Sequence, residues 1–443
     1  MRPKLLVVIG TMLSVTAVIA WTLGRHLSYN GFHLFESNEK SRYEQTTAFH
    51  QMATTTRLTT TSEAQPIGPI RLDTIRDQRH AHLMKACDDD DVKYRGTYQV
   101  PYTVMERMQV SRKHRLLYCG LEKAASSFMK RIFMVLNGAP KKSPYDIPTA
   151  LAGFGVPNLS DYKPAEVPDI LKNSTVLLIG RDPYTRLLSA YIDKMFSPNA
   201  MFAEKIGKYA ISLTRENVTE QSRRCGFDLT FKEFIKYFIQ SQEDGLHRDN
   251  HFAPAYQMCL PCTYNYNFIA KTDTLLNDSV FLLTQVGEKQ LAENLQVNFT
   301  TRNRQDKIRD QPNLLFMFRK KYQGCLSFFD AQRKVWKKLQ ATGVIDKKSK
   351  YPVTREESEN ITRTSFERLL HAAVGDVTDV TVARRQREEA AVEAYSSLEG
   401  EDLEKLNKIF APDCKIFKFN CRPQKFFETD PNIKSWYFDI ETA

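Results

Sequence analysis

Two short segments constrain what this chain can fold into more than any other feature of its sequence. Residues 115–131 read RLLYCGLEKAASSFMKR, and residues 176–191, about sixty positions further on, read VLLIGRDPYTRLLSAY. Each pattern predicts a buried strand, a turn and the start of a helix. Lys, Arg and Ser occur where the free N–H groups of a helix start would meet a phosphate. Together the segments predict the two ends of one site for a doubly phosphorylated nucleotide.

The first segment predicts a turn directly after its apolar run, residues 116–119. Lys123, Ser126 and Ser127 fall in this turn and at the start of the next helix. A Walker-type loop needs two glycines at fixed spacing before Lys-Ser or Lys-Thr, whereas this turn contains only Gly120. The pattern therefore argues against an ATPase or kinase of that class.

The second segment combines a guanidinium and a hydroxyl after its strand, residues 176–179. Asp182-Pro183 is typical of a helix start, because Pro is tolerated in the first turn. Arg181 lies at the end of the strand and Ser189 follows eight residues later, so the two groups are positioned to bind one phosphate. Taken alone, Arg181 and Asp182 are equally consistent with a local salt bridge. The prediction of a phosphate site therefore depends on both segments occurring together.

Both segments, with residues 251–275 (HFAPAYQMCLPCTYNYNFIAKTDTL), resemble the Golgi carbohydrate sulfotransferases that include the chondroitin and dermatan 4-O-sulfotransferases. The resemblance runs with gaps from about residue 113 to residue 421. It implies transfer of a sulfuryl group from 3′-phosphoadenosine 5′-phosphosulfate to a hydroxyl of a glycan, such as chondroitin or dermatan. It also implies that no metal is needed.

In that family the first loop typically reads Pro-Lys-x-Gly-x-Ser/Thr-x-x-Lys-Arg and binds the 5′-phosphosulfate. The resemblance gives this role to Lys123, Ser126, Ser127 and Arg131. Here Glu122 replaces the usual Pro, and Ala125 replaces the usual Gly. The second loop typically reads Arg-Asp-Pro-x-x-Arg-Leu-Leu-Ser-Ala-Tyr and binds the 3′-phosphate. The resemblance gives that role to Arg181, Arg186 and Ser189.

Two side chains are the candidates for catalysis. Lys123 is suited to neutralise the charge that develops on the departing phosphate. A general base must accept the proton of the acceptor hydroxyl, and His251 is our candidate, because an imidazole titrates near neutral pH. The related enzymes resemble this chain here, with His followed by an aromatic residue. The alternatives for the base are Glu122, His247 and Asp249.

The N-terminal sequence predicts a single-pass membrane anchor. Residues 5–23 contain no charged residue and follow Arg2 and Lys4, which predicts a cytoplasmic tail at 1–4. A cleaved signal peptide is the alternative. Residues 24–95 are interpreted as a Thr-rich lumenal stem, 96–425 as the catalytic domain and 426–443 as a C-terminal tail. Alternating strand and helix patterns favour an α/β fold, with flanking helices and a central, mostly parallel sheet that carries the P-loop-like turn for phosphosulfate.

Glycosylation sequons and cysteines indicate a lumenal protein, which we assign to the Golgi membrane in type II orientation. Asn-x-Ser/Thr occurs six times, at Asn158, Asn173, Asn217, Asn277, Asn298 and Asn360. The eight cysteines permit up to four disulfides. Cys259 and Cys262 favour structural bridges over a zinc site, because no second ligand pair follows at zinc-finger spacing. Cys119, inside a strand, is interpreted as a buried thiol.

The charge balance favours polyanionic partners. The formal net charge is +11, which suits an acidic glycan and the donor, whereas the predicted compartment excludes nucleic acid. Residues 301–350 form a charged, helix-rich insertion whose basic residues we expect to be solvated. The alternative for individual basic residues is that they serve only solubility, as for Lys141, Lys142, Lys334, Lys337 and Lys338. The acidic run 88–91 is interpreted as a linker, with an Asp-x-Asp metal site as the alternative.

Two functions of other classes stay open. A glycosyltransferase with the same membrane topology would need a metal-dependent nucleotide-sugar site, and manganese dependence would identify it. A glycan-binding protein without catalytic activity is the second alternative, because Glu122 and Ala125 depart from the family pattern. Donor binding measured by calorimetry distinguishes these possibilities.

Overall fold

The computed structural model describes residues 73–88, 102–374, 379–430 and 433–443. All of these belong to one compact unit, residues 67–443. The predicted anchor at 5–23 and most of the stem lie outside the described residues. Within the described part, no helix is both long and apolar enough to cross a membrane.

A four-stranded sheet forms the centre of the fold. Its strands are β1 Met108–Ser111, β2 Leu116–Cys119, β3 Thr175–Gly180 and β4 Phe268–Lys271, in the order β1-β2-β3-β4. β2, β3 and β4 run parallel, and β1 pairs antiparallel with β2 at one edge. The prediction of a central, mostly parallel sheet is confirmed. The apolar runs of β2 and β3 are buried throughout, as expected for parallel strands covered on both faces.

Helices account for most of the remaining described residues. In chain order they are α1 Thr74–Cys87, α2 Tyr102–Met105, α3 Ser126–Leu136, α4 Val167–Lys172, α5 Pro183–Tyr191, α6 Ala200–Phe202, α7 Lys208–Thr214, α8 Glu220–Cys225, α9 Phe231–Asp244, α10 Ala255–Cys259, α11 Leu275–Gln285, α12 Lys289–Gln296, α13 Phe299–Arg309, α14 Gln311–Met317, α15 Phe328–Ala341, α16 Arg355–Asn360, α17 Arg363–Val374, α18 Val380–Ser396, α19 Gly400–Phe417 and α20 Gln424–Phe427. Two π-helical turns, Ile192–Phe196 and Ala203–Gly207, follow α5 and α6.

Apolar side chains from successive strand positions pack on opposite faces of the sheet. Leu117 and Val176 pack with residues of α1, α10 and α19 on one face. Leu116 and Leu177 pack with α3, α11 and α12 on the other. Because the strand period is two residues, a short apolar run such as LLYC supplies both faces at once. The sheet is therefore the middle layer between two helical layers, the arrangement in which parallel strands usually occur.

A helical subdomain packs beside the sheet and fixes α5. Tyr395 on α18 donates a hydrogen bond to the Tyr184 carbonyl at 2.9 Å, and the Tyr184 hydroxyl donates to the Cys421 carbonyl at 2.7 Å. Tyr184, Phe234, Tyr395 and Phe410 belong to one buried cluster. The start of α5, where the second sequence segment places its phosphate-binding groups, is thus held from α18 and from residues after α19.

All eight cysteines form disulfides: Cys87–Cys262, Cys119–Cys259, Cys225–Cys325 and Cys414–Cys421. The prediction of up to four bridges, and of bridges at Cys259 and Cys262, is confirmed. The interpretation of Cys119 as a buried thiol is wrong. β2 passes beside α10, and this brings Cys119 to within bonding distance of Cys259, a proximity that strand periodicity does not reveal.

The folded unit includes part of the predicted stem. α1 lies within residues 24–95, and its Arg76 and Arg79 form ion pairs with the buried carboxylate of Asp278, at 2.8 and 2.9 Å. Cys87 at the end of α1 is bonded to Cys262. Long-range ion pairs and a disulfide therefore hold this helix to the sheet layer, and neither has a local sequence signature.

Candidate active site

The first turn lies between β2 and α3 and has an unusual backbone. Lys123 and Ala125 adopt left-handed conformations, with φ values of 63° and 60°. This turn leads directly into α3, which begins at Ser126. Within the described residues, the hydroxyls of Ser126 and Ser127 have no hydrogen-bond partner, and both residues are half-buried. The start of α3 therefore offers two hydroxyls and free backbone N–H groups to an anion.

The second segment meets the first at the same edge of the sheet. Arg181, directly after β3, donates a hydrogen bond from Nη1 to the Lys123 carbonyl at 2.7 Å. Burial lowers the pKa of Arg181 to about 10, with Arg186 acting in the same direction, so the guanidinium is charged at neutral pH. Ser189 lies two turns along α5, half-buried, and its hydroxyl has no partner among the described residues. The two ends predicted from the sequence are thus brought together.

Arg186 occupies the interior between the two segments. Its side chain is 1% exposed. It donates to the carbonyl of Glu122 at 3.2 Å and to the carbonyls of Phe252 and Ala253. The guanidinium therefore joins the first turn to the loop that carries His251, and its donors are directed at backbone rather than at open space.

Arg131 is also engaged inside the protein. It forms an ion pair with Asp306 of α13 and donates to the carbonyls of Ile147 and Ser127, at 2.9 and 3.1 Å. Its residue is 1% exposed. These contacts dock α13 against the first turns of α3. Of the sequence-predicted donor-binding residues, Arg131 and Arg186 are thus the two that are almost fully buried and that each donate several hydrogen bonds to protein groups.

Lys123 is held by an acidic residue that the sequence analysis did not single out. Its Nζ lies 3.0 Å from Oδ2 of Asp193, which is on the π-helical turn after α5. Burial lowers the pKa of Lys123 to about 8, against the opposing effect of Asp193. Asp193 also contacts Lys194 at 3.4 Å and Lys338 at 2.7 Å.

The expectation that Lys337 and Lys338 belong to a solvated basic face is wrong. Lys338 on α15 is 7% exposed, and Lys337 is fully buried. The Lys337 ammonium lies 3.3 Å from the centre of the Trp436 ring, a cation–π contact. α15 packs against other helices over most of its circumference, so its polar sequence does not mark a surface.

His251 forms a dyad with Asp249. His251 Nδ1 lies 2.7 Å from Asp249 Oδ1, and the His251 backbone N–H donates to the same oxygen at 3.0 Å. Burial would raise the pKa of Asp249, but hydrogen bonds from His251 and from Lys205 hold it well below its usual range. A carboxylate only accepts, so Nδ1 carries the proton and Nε2 is the nitrogen left to accept one.

The other candidates for the base are less suited. Glu122 forms an ion pair with Arg107 at 3.0 Å. His247 is exposed and lies against the Tyr209 ring, 4.3 Å between centroids. Asp249 is turned towards His251 and Lys205. His251, whose side chain is 31% exposed, combines solvent access with an orienting partner.

Phe202 links His251 to Lys194, one of the three lysines around Asp193. The rings of Phe202 and His251 meet edge to face at 5.3 Å, and the Lys194 ammonium lies 5.2 Å from the centre of the Phe202 ring. Lys194 in turn contacts Asp193, the partner of Lys123. The candidate base and the candidate donor lysine therefore lie in one continuous set of contacts.

Three further cations surround this region, and sequence reasoning missed them. Arg304 and Lys307 come from α13, and Arg387 comes from α18. Burial lowers the pKa of Lys307 to about 8, with further lowering by Arg387, Arg181, Arg304 and Lys123. The side chains of these three residues make no ion pair or hydrogen bond with another described residue. Uncompensated positive charge of this kind favours a bound polyanion.

Ala125 offers a test of the turn. An alanine at φ 60° costs about 1 kcal/mol relative to glycine, because its Cβ crowds the following carbonyl. We expect Ala125→Gly to tighten binding of 3′,5′-adenosine bisphosphate by about two- to fivefold, since the backbone approaches the ligand more closely without the Cβ. Calorimetry on the purified full chain measures the change. Ala152→Gly, outside the turn at φ −57°, is the matched control. Weaker binding by Ala125→Gly would contradict the expectation.

No metal site is evident from the side chains that the structure describes. Within these residues, no group of three or more His, Cys, Asp or Glu is arranged as around a metal ion. Asp89, Asp90 and Asp91 of the acidic run lie outside the described residues.

Comparison with known proteins gives one family. Residues 106–321 match the model of the sulfotransferase family. Carbohydrate sulfotransferase 9 from Homo sapiens is 32% identical over 217 residues, which is 48% of this chain and 48% of that protein. Carbohydrate sulfotransferase 11 from Rattus norvegicus is 33% identical over 188 residues, 41% of this chain and 53% of the relative.

A third relative, carbohydrate sulfotransferase 14 from Danio rerio, is 33% identical over 189 residues, 42% of this chain and 50% of its own length. The chain thus spans about half the length of the curated relatives that it matches. No solved structure matches the chain significantly. The matched region contains both sequence segments, Asp193 with its partners Lys123 and Lys194, and the dyad of His251 with Asp249.

Proposed function

We propose that the protein transfers a sulfuryl group from 3′-phosphoadenosine 5′-phosphosulfate to a hydroxyl of a glycan, and the match of residues 106–321 to the sulfotransferase family supports this proposal. The observation that carries the proposal is the hydrogen bond from Arg181 to the Lys123 carbonyl, 2.7 Å long. It joins the two segments at one place, which supports a nucleotide with phosphates at both ends as the ligand.

For the donor, we propose two binding regions. Lys123, Ser126 and Ser127 would hold the phosphosulfate, because unpaired hydroxyls and helix-start N–H groups suit an anion. Arg181 and Ser189 would hold the 3′-phosphate through charge-assisted hydrogen bonds. The hydroxyls of Ser126, Ser127 and Ser189 support this division, because they have no hydrogen-bond partner among the described residues.

The remaining cations have supporting roles in this proposal. Arg304, Lys307 and Arg387 would add positive charge around the donor, since they lack ion-pair partners among the described residues. Arg131 and Arg186, first interpreted as donor ligands, would instead brace the turn from within. Their hydrogen bonds to protein carbonyls and to Asp306 support that reassignment.

In the reaction, the acceptor hydroxyl oxygen forms a bond to sulfur while the bond from sulfur to the bridging phosphate oxygen breaks. The electron pair stays on that oxygen, giving 3′,5′-adenosine bisphosphate, and Lys123 would stabilise the charge that develops there. His251 would accept the hydroxyl proton at Nε2, while Asp249 holds Nδ1–H and stabilises the imidazolium. Catalysis then rests on alignment and charge stabilisation.

For the acceptor, we propose an acidic glycan, with chondroitin or dermatan as the finer assignment. The net charge of +11 supports a polyanionic acceptor, because long-range attraction raises its local concentration. The relatives are named as carbohydrate sulfotransferases, and their names specify no particular glycan.

We further propose a single-pass type II protein of the Golgi membrane, with residues 1–4 cytoplasmic, 5–23 in the membrane and the stem and catalytic domain lumenal. Four disulfides support an oxidising compartment. Five of the six sequon asparagines are exposed and Asn158 is half-buried, so glycans there would not disturb the described core.

The test of the function is direct. The full chain, purified in detergent, is incubated with labelled donor and a panel of glycans, with and without chelator. We expect labelled sulfate on at least one acidic glycan and no effect of the chelator. Activity that requires manganese and a nucleotide sugar would identify a glycosyltransferase instead. Glycan binding without donor binding would identify a catalytically silent protein.

The dyad gives a second prediction. We expect His251→Ala to lower turnover by about 100- to 10,000-fold, the usual contribution of one general base, with unchanged affinity for 3′,5′-adenosine bisphosphate. The acidic limb of the pH–rate profile should flatten, because the group whose protonation inhibits the reaction is gone. Initial rates from pH 5 to pH 8 measure both effects.

The exposed His247 provides the control, since His247→Ala should leave the pH profile unchanged. Near-normal turnover in a folded His251→Ala protein would remove His251 from catalysis. Aggregation of this variant would indicate a structural residue, and Asp249→Asn would then test the dyad independently.

A further inference from the structure

One carboxylate lies among three lysines at the candidate active site. Asp193 is 2.7 Å from Lys338 Nζ, 3.0 Å from Lys123 Nζ and 3.4 Å from Lys194 Nζ. The exposed fractions of these side chains run from 9% for Lys338 to 27% for Asp193. The four groups form a partly buried cluster with more positive than negative charge.

The cluster is assembled from three separate elements. Lys123 belongs to the turn before α3, Asp193 and Lys194 to the π-helical turn after α5, and Lys338 to α15. π-helical turns are rare and occur often at functional sites, because the extra residue redirects side chains. α15 lies beyond residues 106–321, so this contact brings a residue from outside the family-matched region to the candidate donor lysine.

The sharing of Asp193 has a specific energetic consequence. Removing one partner from a buried ion pair carries a large free-energy cost, because the other charge is left uncompensated. If Lys123 alone neutralised Asp193, its movement to a donor oxygen would incur that cost. Lys338 and Lys194 remain on the carboxylate when Lys123 leaves. Asp193 therefore positions Lys123 in the free protein, while the other two lysines make its movement to a donor oxygen less costly.

We propose that Asp193 and Lys338 are positioning residues for Lys123: Asp193 holds the Lys123 ammonium at the donor turn, and Lys338 keeps Asp193 neutralised when Lys123 turns to the donor. This inference rests on the proposed function, in which Lys123 stabilises charge on the bridging oxygen. It assigns a role to α15 and to the π-helical turn, both of which lie outside the two sequence segments.

The proposal makes opposite predictions for the two residues. The charged groups around Lys123 are Asp193 and Lys194 on the π-helical turn, Lys338 on α15, Lys307 on α13, and Arg181 after β3. Asp193 raises the pKa of Lys123, whereas Lys338 and Lys194 lower it. Loss of Asp193 should therefore make Lys123 lose its proton at lower pH, and loss of Lys338 should do the reverse.

The experiment uses the full chain and measures kcat/KM for the donor between pH 6 and pH 10. The alkaline limb of this profile reports the free enzyme's essential acid. We expect Asp193→Asn to move this limb to lower pH by about 1 pH unit, the usual scale for one close opposite charge, and to lower kcat about 10- to 100-fold. Lys338→Met should move the limb to higher pH and lower kcat less.

Lys334→Met is the matched control on the same helix. Lys334 donates to the Phe227 carbonyl at 3.1 Å and does not contact Asp193, so the pH profile should not change. Should Asp193→Asn fail to fold, Lys338→Met still tests the proposal by the direction of its shift. Limbs that stay at the wild-type pH, or that move in the same direction in both variants, would overturn it.

Failure of the proposed function is distinguishable from failure of this inference. A wild-type protein that neither binds 3′,5′-adenosine bisphosphate nor transfers sulfate would overturn both. A wild-type protein that does both, with unshifted profiles in the two variants, would overturn only the positioning role.

Discussion

Replacement of Lys123 by Ala is expected to lower turnover by about 100- to 1,000-fold, the typical loss when one preorganised charge at a transition state is removed. The reason is that the ammonium is already at the donor turn, 3.0 Å from Asp193, and needs little movement to follow the developing charge. The Michaelis constant for the donor should rise less than turnover falls, because the interaction strengthens in the transition state. Initial rates at saturating donor and acceptor measure the change.

Lys141→Ala is the control for Lys123→Ala, because Lys141 is an exposed lysine outside the turn. Its turnover should equal that of the wild type. A Lys123→Ala protein with normal turnover and a raised Michaelis constant would show that Lys123 only binds the donor in the ground state. Its role in stabilising the bridging oxygen would then be wrong.

Replacement of Arg186 by Ala is expected to destabilise the fold rather than to weaken donor binding alone. The change leaves the carbonyls of Glu122, Phe252 and Ala253 without a buried donor. It also removes the guanidinium whose charge faces Asp413, a buried carboxylate. Breaking such a buried charged contact costs about 3–5 kcal/mol, so the melting temperature of a unit of this size should fall by about 4–6 °C. Thermal unfolding of the purified protein measures it.

Arg181→Ala separates stability from binding. Arg181 is half-buried and has one hydrogen bond to backbone, the contact with the Lys123 carbonyl. We expect a folded protein whose affinity for 3′,5′-adenosine bisphosphate falls about 10- to 1,000-fold, from the loss of a charge-assisted phosphate contact. If Arg186→Ala instead keeps its melting temperature and loses only donor affinity, Arg186 contacts the donor and its bracing role is wrong.

The central sheet and the meeting of the two segments were predictable from the sequence because both depend on short-range patterns. A run such as Leu116–Cys119 specifies a buried strand, and parallel strands place their following turns at one edge of the sheet. The turn that contains Lys123 and the start of α5 therefore meet by topology alone. Cys259 and Cys262 were assigned to bridges on compartment and spacing, which also need no long-range information.

The residues that complete the candidate site were not predictable in the same way. Arg304, Lys307 and Arg387 belong to helices whose charge patterns are ordinary, and only the packing of α13 and α18 brings them near Arg181. Lys338 lies in a polar stretch typical of a surface helix. Lys338 is buried because other helices enclose α15, and the sequence of α15 does not indicate that these helices pack against it.

The bridge between Cys119 and Cys259 has a consequence for where this protein can mature. Cys119 ends the strand that leads into the turn of Lys123, and Cys259 ends α10, shortly after His251; the two cysteines are 140 positions apart in sequence. Closing a loop of that length restricts the unfolded chain by about 5 kcal/mol in the chain-entropy view. Under reducing conditions that contribution is lost, and the turn of Lys123 and the loop of His251 are held together by noncovalent contacts such as those of Arg186. The redox state of the surrounding compartment therefore sets how firmly these two parts are joined, since oxidation adds a covalent link to the hydrogen bonds.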